Sequence, residues 1–306
     1  MTGTRKLLLE LRDGARVECV LIPMTPATDK ARALRDPGRP TRVTLCLSTQ
    51  FGCAMGCRFC ASGRAGLVRA LEVDEILAQV GLARGSLAAG EELGNLVFMG
   101  MGEPLHHYDV TAEALRRLMD PAGPNIGPRR ITVSTVGLVP AIGRLGRDFG
   151  GKVGLAVSLH APNDQVRDRL LPINARYPIA ELIAALRAYP LPRRRRITIE
   201  YTLVEGVNAE PAHALELSDV LRGVPVKINL IAMNPVPGSG LRSASPAAVA
   251  EFQRLLIERG YSCFVRAQRG DELDAACGQL ALEQGLVRLV SAARRGRGGR
   301  ECSARS

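Results

Sequence analysis

The sequence has no tryptophan, and its aromatic residues together make up only 4% of the chain. Proteins that bind single-stranded nucleic acid by stacking need aromatic platforms, so a pure binding module is disfavoured. The chain also lacks an apolar run long enough to span a bilayer. Its first apolar run is three leucines at positions 7–9, too short for a secretory signal. We therefore expect a cytoplasmic protein that makes no membrane contact.

Composition and charge define the broad class of the protein. The chain has 306 residues, 46% of them hydrophobic and 23% charged, which is typical of a globular protein with one large barrel or two ordinary domains. Lys and Arg number 41 against 30 Asp and Glu, so the formal charge is +11. This surplus favours a polyanionic partner such as RNA, although an arginine-rich proteome would produce the same surplus.

Eight cysteines are unevenly placed along the chain. Because the cytosol keeps thiols reduced, a disulfide framework is not expected. Cys53, Cys57 and Cys60 fall within eight residues in a C-x3-C-x2-C pattern. A structural zinc site needs four ligands, and no neighbouring His or Cys supplies the fourth. Three thiolates instead suit a [4Fe–4S] cubane with one iron open to a small molecule, and the alternative is that buried cysteines cluster by chance.

The order of strands and helices indicates the fold class. Residues 6–23 are typical of a hairpin with its turn at Asp13 and Gly14, and a polar loop follows to residue 40. Beyond it, strand-like and helix-like segments alternate. The predicted strands are residues 43–48, 95–100, 130–134, 153–158, 197–203, 226–231 and 262–266. The predicted helices are residues 73–84, 110–119, 139–146, 179–189, 209–221 and 246–260.

Strands that alternate with helices imply right-handed crossovers and a parallel sheet, either doubly wound or barrel-like. Unusual motifs follow almost every strand here, and the catalytic residues of barrels gather at strand ends in this way. We therefore predict an α/β fold, a partial (β/α)6 TIM-like barrel with an N-terminal β-hairpin extension. The expected domains are 1–40 for the hairpin and loop, 41–283 for the barrel, and 284–306 for a helix end and a basic disordered tail.

The strand-end motifs carry small polar groups that suit a nucleoside ligand. Residues 100–104, GMGEP, combine glycines for close backbone approach with Glu103, which can accept from an ammonium group or a ribose hydroxyl. Ser134, Ser158 and Asn234 lie at the ends of other predicted strands. Each alone would be an ordinary cap or turn residue, but together they predict a binding site. The arginine run at 193–196 is either a phosphate contact or a solvated loop.

The cysteine spacing and several longer runs carry a family resemblance. TLCLSTQFGCAMGCRFC, VFMGMGEPL, SLHAPNDQVRDRLLPIN and RGDELDAACGQL resemble segments of the radical-SAM methyltransferases that modify adenine C2 in rRNA and tRNA, and of their C8-directed relatives. The resemblance covers about residues 15–283. It implies a barrel of the radical-SAM type, a [4Fe–4S] cluster on Cys53, Cys57 and Cys60, and two molecules of S-adenosylmethionine per turnover.

The resemblance also implies roles for individual residues. Cys277 corresponds to a methyl-carrying cysteine, which the chemistry needs because an adenine ring carbon does not attack a sulfonium methyl group, whereas a thiolate does. Cys46 corresponds to the cysteine that resolves the protein–RNA adduct through a transient disulfide with Cys277. Glu18 corresponds to the proton acceptor at the base carbon. The positions that correspond to S-adenosylmethionine contacts are Gly102, Glu103, Ser134, Ser158, Leu159, His160 and Asn234.

Several alternatives stay open at this point. A radical-SAM enzyme acting on a protein or a small molecule would share the three clustered cysteines without needing Cys46 or Cys277. A non-catalytic RNA-binding protein with a structural cluster, and C8-directed methylation, are further alternatives. The bacterial rRNA and tRNA enzymes carry an N-terminal helical accessory domain, and this chain begins about fifteen residues before the matching region, so the RNA target is left open. An electron donor such as flavodoxin and a monomeric state are expected.

Overall fold

The computed structural model describes residues 3–24 and 40–266. Most of the predicted loop after the hairpin, the predicted basic tail and Cys277 lie outside these ranges. None of the helices in the described ranges combines the length and the apolar character needed to cross a membrane.

One large sheet organises the described part of the chain. Its strands and those of a small ribbon are β1 Arg5–Glu10, β2 Arg16–Pro23, β3 Thr41–Cys46, β4 Gln50–Gly52, β5 Leu67–Ala70, β6 Glu91–Phe98, β7 Ile131–Thr135, β8 Gly154–Ser158, β9 Ile197–Leu203, β10 Val226–Ala232 and β11 Cys263–Val265. Nine of these described strands form the sheet, in the order β1-β2-β3-β6-β7-β8-β9-β10-β11, and β4 pairs with β5 in the ribbon.

Helices connect the strands of the large sheet. Within the described ranges they are α1 Ala61–Ala65, α2 Val73–Gly85, α3 Tyr108–Met119, α4 Val139–Phe149, α5 Asp164–Leu170, α6 Ile179–Ala188, α7 Pro211–Val220 and α8 Pro246–Glu258. Their apolar residues recur at helical spacing, as in α3, where Leu115 and Leu118 are fully buried. These buried faces pack against the sheet and form the main core.

The first two strands form the predicted antiparallel hairpin. Gly14 occupies its turn with φ +78°, a left-handed conformation that glycine adopts without strain. The carboxylate of Asp13 accepts a hydrogen bond from the backbone N–H of Ala15 at 3.0 Å, which stabilises the turn. Strand β2 then pairs antiparallel with β3, where Val20 lies opposite Cys46. The hairpin therefore extends the barrel sheet at one edge.

From β3 to β11, neighbouring strands of the large sheet run parallel. At least one helix lies in every connection between them, so the strands follow one another in space as they do in the chain. All seven residues of β9 are buried, as expected for a strand covered on both faces. The predicted partial barrel is confirmed, and the parallel arrangement brings the carboxyl ends of these strands to one edge.

Four short elements of the described chain were not predicted: β4, β5, α1 and α5. The helices α1 and α5 have five and seven residues, fewer than two helical turns, and the strands β4 and β5 have three and four. The start of α5 did carry a signal, because Asn163 is a favoured cap residue. Its side-chain oxygen accepts a hydrogen bond from the backbone N–H of Val166 at 2.9 Å.

Candidate functional site

A cavity opens at the carboxyl ends of the parallel strands. Side chains from the ends of β6 to β10 and from the loop after β4 line it. The lining includes nine of the residues that the sequence marked as site residues: Cys53, Cys57, Cys60, Gly102, Glu103, Ser134, Ser158, His160 and Asn234. Residues up to 181 positions apart in the chain therefore meet at one place.

The three cysteines lie in a loop that short backbone contacts hold in shape. Cys53 and Cys57 are buried, and Cys60 is partly exposed. The backbone N–H of Cys53 donates to the carbonyl of Gly66 at 3.0 Å, and that of Cys60 donates to the carbonyl of Cys57 at 3.2 Å. Gly52 precedes the loop with φ +80°, and a Cβ there would lie 1.9 Å from the Gly66 oxygen. Glycine is required at this position because any side chain would collide with the backbone.

The buried thiols suit a metal cluster more than an exposed redox role. Burial raises the pKa of Cys53 to about 12 and raises that of Cys57 well above its ordinary value. A bound metal ion reverses this preference, because its positive charge removes the thiol proton. No group of three or more described His, Cys, Asp or Glu side chains has the arrangement of a site for a single ion. In a cubane, each thiolate binds a different iron and the three need not converge on one point.

Glu103 is a buried carboxylate whose orientation is fixed by the backbone. Its two oxygens accept hydrogen bonds from the N–H of Leu105 at 3.0 Å and of Val136 at 2.9 Å. It is only 3% exposed. Burial raises the pKa of Glu103 to about 7, although both backbone donors act in the opposite direction. The group is therefore poised to ionise fully when a cationic ligand enters the cavity.

The glycines of the GMGEP motif allow close backbone approach. Gly102 has φ +106°, and a Cβ there would lie 2.6 Å from the Cβ of Gln50. Gln50 in turn accepts a hydrogen bond from the backbone N–H of Glu103 at 2.9 Å through its side-chain oxygen. The ribbon strand β4 therefore helps to hold the carboxylate in the cavity, a role that sequence reasoning did not assign to Gln50.

The end of β8 places a neutral histidine in the cavity. His160 has φ +56°, and its Nδ1 accepts a hydrogen bond from the backbone N–H of Thr202 at 2.9 Å. Burial lowers the pKa of His160 to about 3, so its Nε2 carries the proton. Its ring meets the ring of Phe59 edge-on, with centroids 4.7 Å apart. Leu159 is fully buried and is not among the lining side chains, and its backbone N–H donates to the carbonyl of Glu200 at 3.1 Å.

Sequence reasoning missed two charged lining residues, Glu200 and Arg266. Glu200 is 4% exposed, and one of its oxygens accepts from the side-chain amide of Asn229 at 3.0 Å. Its other oxygen lies 3.7 Å from a guanidinium nitrogen of Arg266. For Glu200, the sequence did offer a signal: it is the single acidic residue within ITIEYTL, an otherwise uncharged strand.

The other site residues predicted from the sequence lie away from the cavity lining or outside the described chain. Glu18 on β2 is buried and forms an ion pair with Lys6 at 3.0 Å, and Cys46 ends β3. The hydroxyl of Ser48 donates to the Glu18 carbonyl at 2.5 Å and accepts from the N–H of Met101 at 2.9 Å, which ties β2 to the GMGEP loop. Cys277 lies outside the described residues.

Comparison with known proteins gives the family. The radical SAM superfamily model matches residues 47–217. The dual-specificity RNA methyltransferase RlmN of Sorangium cellulosum is 57% identical over 299 residues, which cover 92% of this chain and 77% of that protein. The chain belongs to the RlmN family within the radical SAM superfamily.

Further members of the family agree with this placement. The RlmN of Marinobacter nauticus is 46% identical over 284 residues, covering 91% of this chain and 72% of that protein. The crystal structure of a radical SAM methyltransferase from Sphaerobacter thermophilus has 46% identity and a TM-score of 0.82, over 90% of this chain and 77% of that one. Membership of the radical SAM superfamily implies a [4Fe–4S] cluster and S-adenosylmethionine as cofactors.

Proposed function

We propose that this RlmN-family chain is a radical-SAM methyltransferase that adds a methyl group to an adenine ring carbon, C2 foremost, in rRNA, tRNA or both. One observation carries the proposal. The cysteine triplet and the polar ends of five strands line a single cavity, in a chain 57% identical to a dual-specificity RNA methyltransferase. Methylation at adenine C8 is the second candidate reaction.

In the proposed site, Cys53, Cys57 and Cys60 would hold the [4Fe–4S] cluster. When bound, the cluster supplies the single electron that cleaves S-adenosylmethionine reductively. The loop geometry supports this assignment, because all three cysteines line the cavity, two of them are buried, and backbone hydrogen bonds hold the loop.

The strand ends would bind S-adenosylmethionine beside the cysteine loop that would hold the cluster. The carboxylate of Glu103 would accept hydrogen bonds from the amino group of the cofactor, since a buried carboxylate favours a cationic partner. Gly102 permits the close approach, and the small polar side chains of Ser134, Ser158 and Asn234 offer hydrogen bonds to its ribose, carboxylate or adenine. The neutral His160 can donate through its Nε2–H, and Leu159 would contribute through its backbone.

Methyl transfer would pass through Cys277. The chain passes out of the described ranges at Arg266, which lines the cavity, and Cys277 follows eleven residues later. At about 3.3–3.6 Å per residue, this length of chain can return a thiolate to the cavity. One S-adenosylmethionine would methylate Cys277, and cleavage of a second would activate that methyl group. Glu18 would accept the proton of the base carbon. The thiolate of Cys46 would then attack the sulfur of Cys277, so that an S–S bond forms as the C–S bond to the methylated base breaks, and the single electron used in the cleavage would be recovered.

We propose a cytoplasmic monomer that receives electrons from a donor such as flavodoxin and has no membrane partner. The surplus of positive charge would favour the RNA backbone. Residues 1–40, 41–283 and 284–306 are proposed as the hairpin with its loop, the barrel and the basic tail.

The decisive experiment uses protein reconstituted with iron and sulfide without oxygen, then supplied with S-adenosylmethionine, dithionite and rRNA or tRNA transcripts. Mass spectrometry of digested RNA should detect 2-methyladenosine, with two cofactor molecules consumed for each methyl group. Cys277→Ala should yield no methylated RNA, and Cys302→Ala, which removes a cysteine without an assigned role, should retain activity. Unmodified RNA with the wild-type enzyme, or full turnover by Cys277→Ala, would refute the proposal.

A further inference from the structure

We propose that Arg167 is a positioning residue whose buried positive charge favours the reduced form of the cluster and whose hydrogen bonds fix two strand ends of the site. The inference rests on the proposed binding of the cluster by the cysteine triplet. Arg167 lies on α5, is 0% exposed, and is among the largest fully buried side chains of the described chain.

The guanidinium group joins three segments around the cavity. Its Nε donates to the carbonyl of Leu159 at 3.1 Å, after β8, and its Nη2 donates to the carbonyl of Val136 at 2.6 Å, after β7. Its Nη1 donates to the side-chain oxygen of Asn174 at 2.9 Å and to the carbonyl of Tyr177 at 3.3 Å. Each nitrogen therefore has at least one acceptor.

These hydrogen bonds act on groups that the site uses. The residue whose carbonyl binds Nη2, Val136, donates its own N–H to Glu103. The residue whose carbonyl binds Nε, Leu159, lies between Ser158 and His160, which both line the cavity. Removing the guanidinium would therefore loosen the backbone that orients the carboxylate and the end of β8.

The positive charge is not explained by hydrogen bonding alone. All four acceptors of Arg167 are uncharged oxygens. The nearby carboxylates of Asp164 and Asp168 accept instead from the backbone N–H of Ile179 at 2.8 Å and from the side chain of Asn174 at 2.7 Å. Burying a charge is costly unless an opposite charge compensates it. Asp164 and Asp168 attract the guanidinium through space and compensate part of its charge, and a negatively charged cluster nearby would add to that compensation.

The position of α5 places the charge beside the cysteine loop. Val166 and Leu170, on the same helix as the arginine, belong to the same apolar cluster as Cys53 and Cys57. The backbone N–H of Arg58, inside the triplet, donates to the carbonyl of Leu170 at 3.0 Å. Val136, which binds Nη2, lines the cavity together with Cys57. Interior charges are weakly screened, so this cation favours the cluster form that carries one more electron.

The test is a redox titration of the reconstituted holoprotein. Titanium(III) citrate gives one electron to the cluster and becomes titanium(IV), and the EPR signal of the reduced cluster reports the midpoint. Arg167→Met should shift the reduction equilibrium at least ten-fold toward the oxidised form, which is 59 mV for a one-electron couple. Arg167→Gln removes the same charge but keeps a hydrogen-bond donor, and it should show the same shift. It replaces Arg167→Met in the titration if the Met variant does not fold.

Two controls separate charge from structure. Arg167→Lys keeps the charge but not the full set of hydrogen bonds, so the reduction equilibrium of its cluster should stay within two-fold of the wild type. Arg169→Met removes an exposed arginine from the same helix and should also stay within two-fold. The role of the charge would be overturned if the neutral variants kept the wild-type midpoint potential. It would also be overturned if the midpoint potential of Arg167→Lys fell as far as that of the neutral variants. Absence of iron from the wild-type protein would instead refute the proposed function.

Discussion

Replacing Glu103 by Gln tests how the cavity binds a cationic cofactor. Burial raises the pKa of Glu103 to about 7, so the carboxylate is only partly ionised near neutral pH before a ligand enters. If the ionised form binds the amino group of S-adenosylmethionine, the affinity should fall roughly ten-fold for each pH unit below 7. Above that pH the affinity should level off.

The size of the effect at high pH follows from the contacts that Gln cannot reproduce. A hydrogen bond to a charged group contributes about 1.5–3 kcal/mol, so Glu103→Gln should weaken binding at pH 8 by roughly 10- to 150-fold. Because Gln does not titrate, its affinity should be flat from pH 6 to 8. Glu200→Gln is the matched control, since it removes another carboxylate of the same cavity and should keep the slope of the wild type.

Equilibrium dialysis of labelled cofactor against reconstituted protein at a series of pH values gives these affinities. A flat wild-type profile, or an unchanged slope in Glu103→Gln, would refute the reasoning. The ligand-free protein provides a second readout. The neutral form of Glu103 is favoured in the fold, so its stabilising contribution is complete below its ordinary pKa of 4.5 and is lost as the pH rises through about 7.

Three further predictions follow from the described contacts. Cys57→Ala should lower the iron and sulfide content after reconstitution, and colorimetric iron at the wild-type level would contradict its role as a ligand. Gly102→Ala should weaken cofactor binding at least ten-fold in calorimetry, because its Cβ would lie 2.6 Å from a neighbouring side chain, whereas Gly81→Ala meets open space and should not. In urea denaturation, Leu96→Ala should lower the free energy of unfolding by about 2–5 kcal/mol, because Leu96 is fully buried. Leu8→Ala, at a half-exposed position, should lower it by at most about 0.5 kcal/mol, and equal losses would argue against the assigned core.

The alternation of strands and helices could be predicted because the long elements are runs of strand-favouring or helix-favouring residues separated by turn residues. The bounds of β9 agree with the predicted strand at 197–203, and those of α2 agree within one residue with the predicted helix at 73–84. The meeting of strand-end motifs at one cavity also followed from sequence, since parallel strands carry their carboxyl ends to the same edge. The short ribbon β4–β5 could not be foreseen, because its register depends on contacts with distant parts of the chain.

The buried polar network was harder to foresee than the cavity itself. Arg167 is one of several arginines in its segment of the sequence, and nothing local distinguishes it from the exposed Arg169. Its burial results from the packing of α5 under two strand ends, a tertiary effect. The same applies to Gln50, whose bond to the Glu103 backbone joins the ribbon to a loop about fifty residues later. The roles of Glu18, Cys46 and Cys277 came from resemblance and stay predictions.

The two separate edges of the large sheet have a consequence for large substrates. In the described chain the outermost strands are β1 and β11, and they are not neighbours in the sheet. A closed eight-stranded barrel fills its interior with side chains and admits ligands only through its mouth. An open sheet gives lateral access between its two borders. A base that projects from a long folded polymer could then be inserted sideways, without an end of the polymer having to be threaded through a ring.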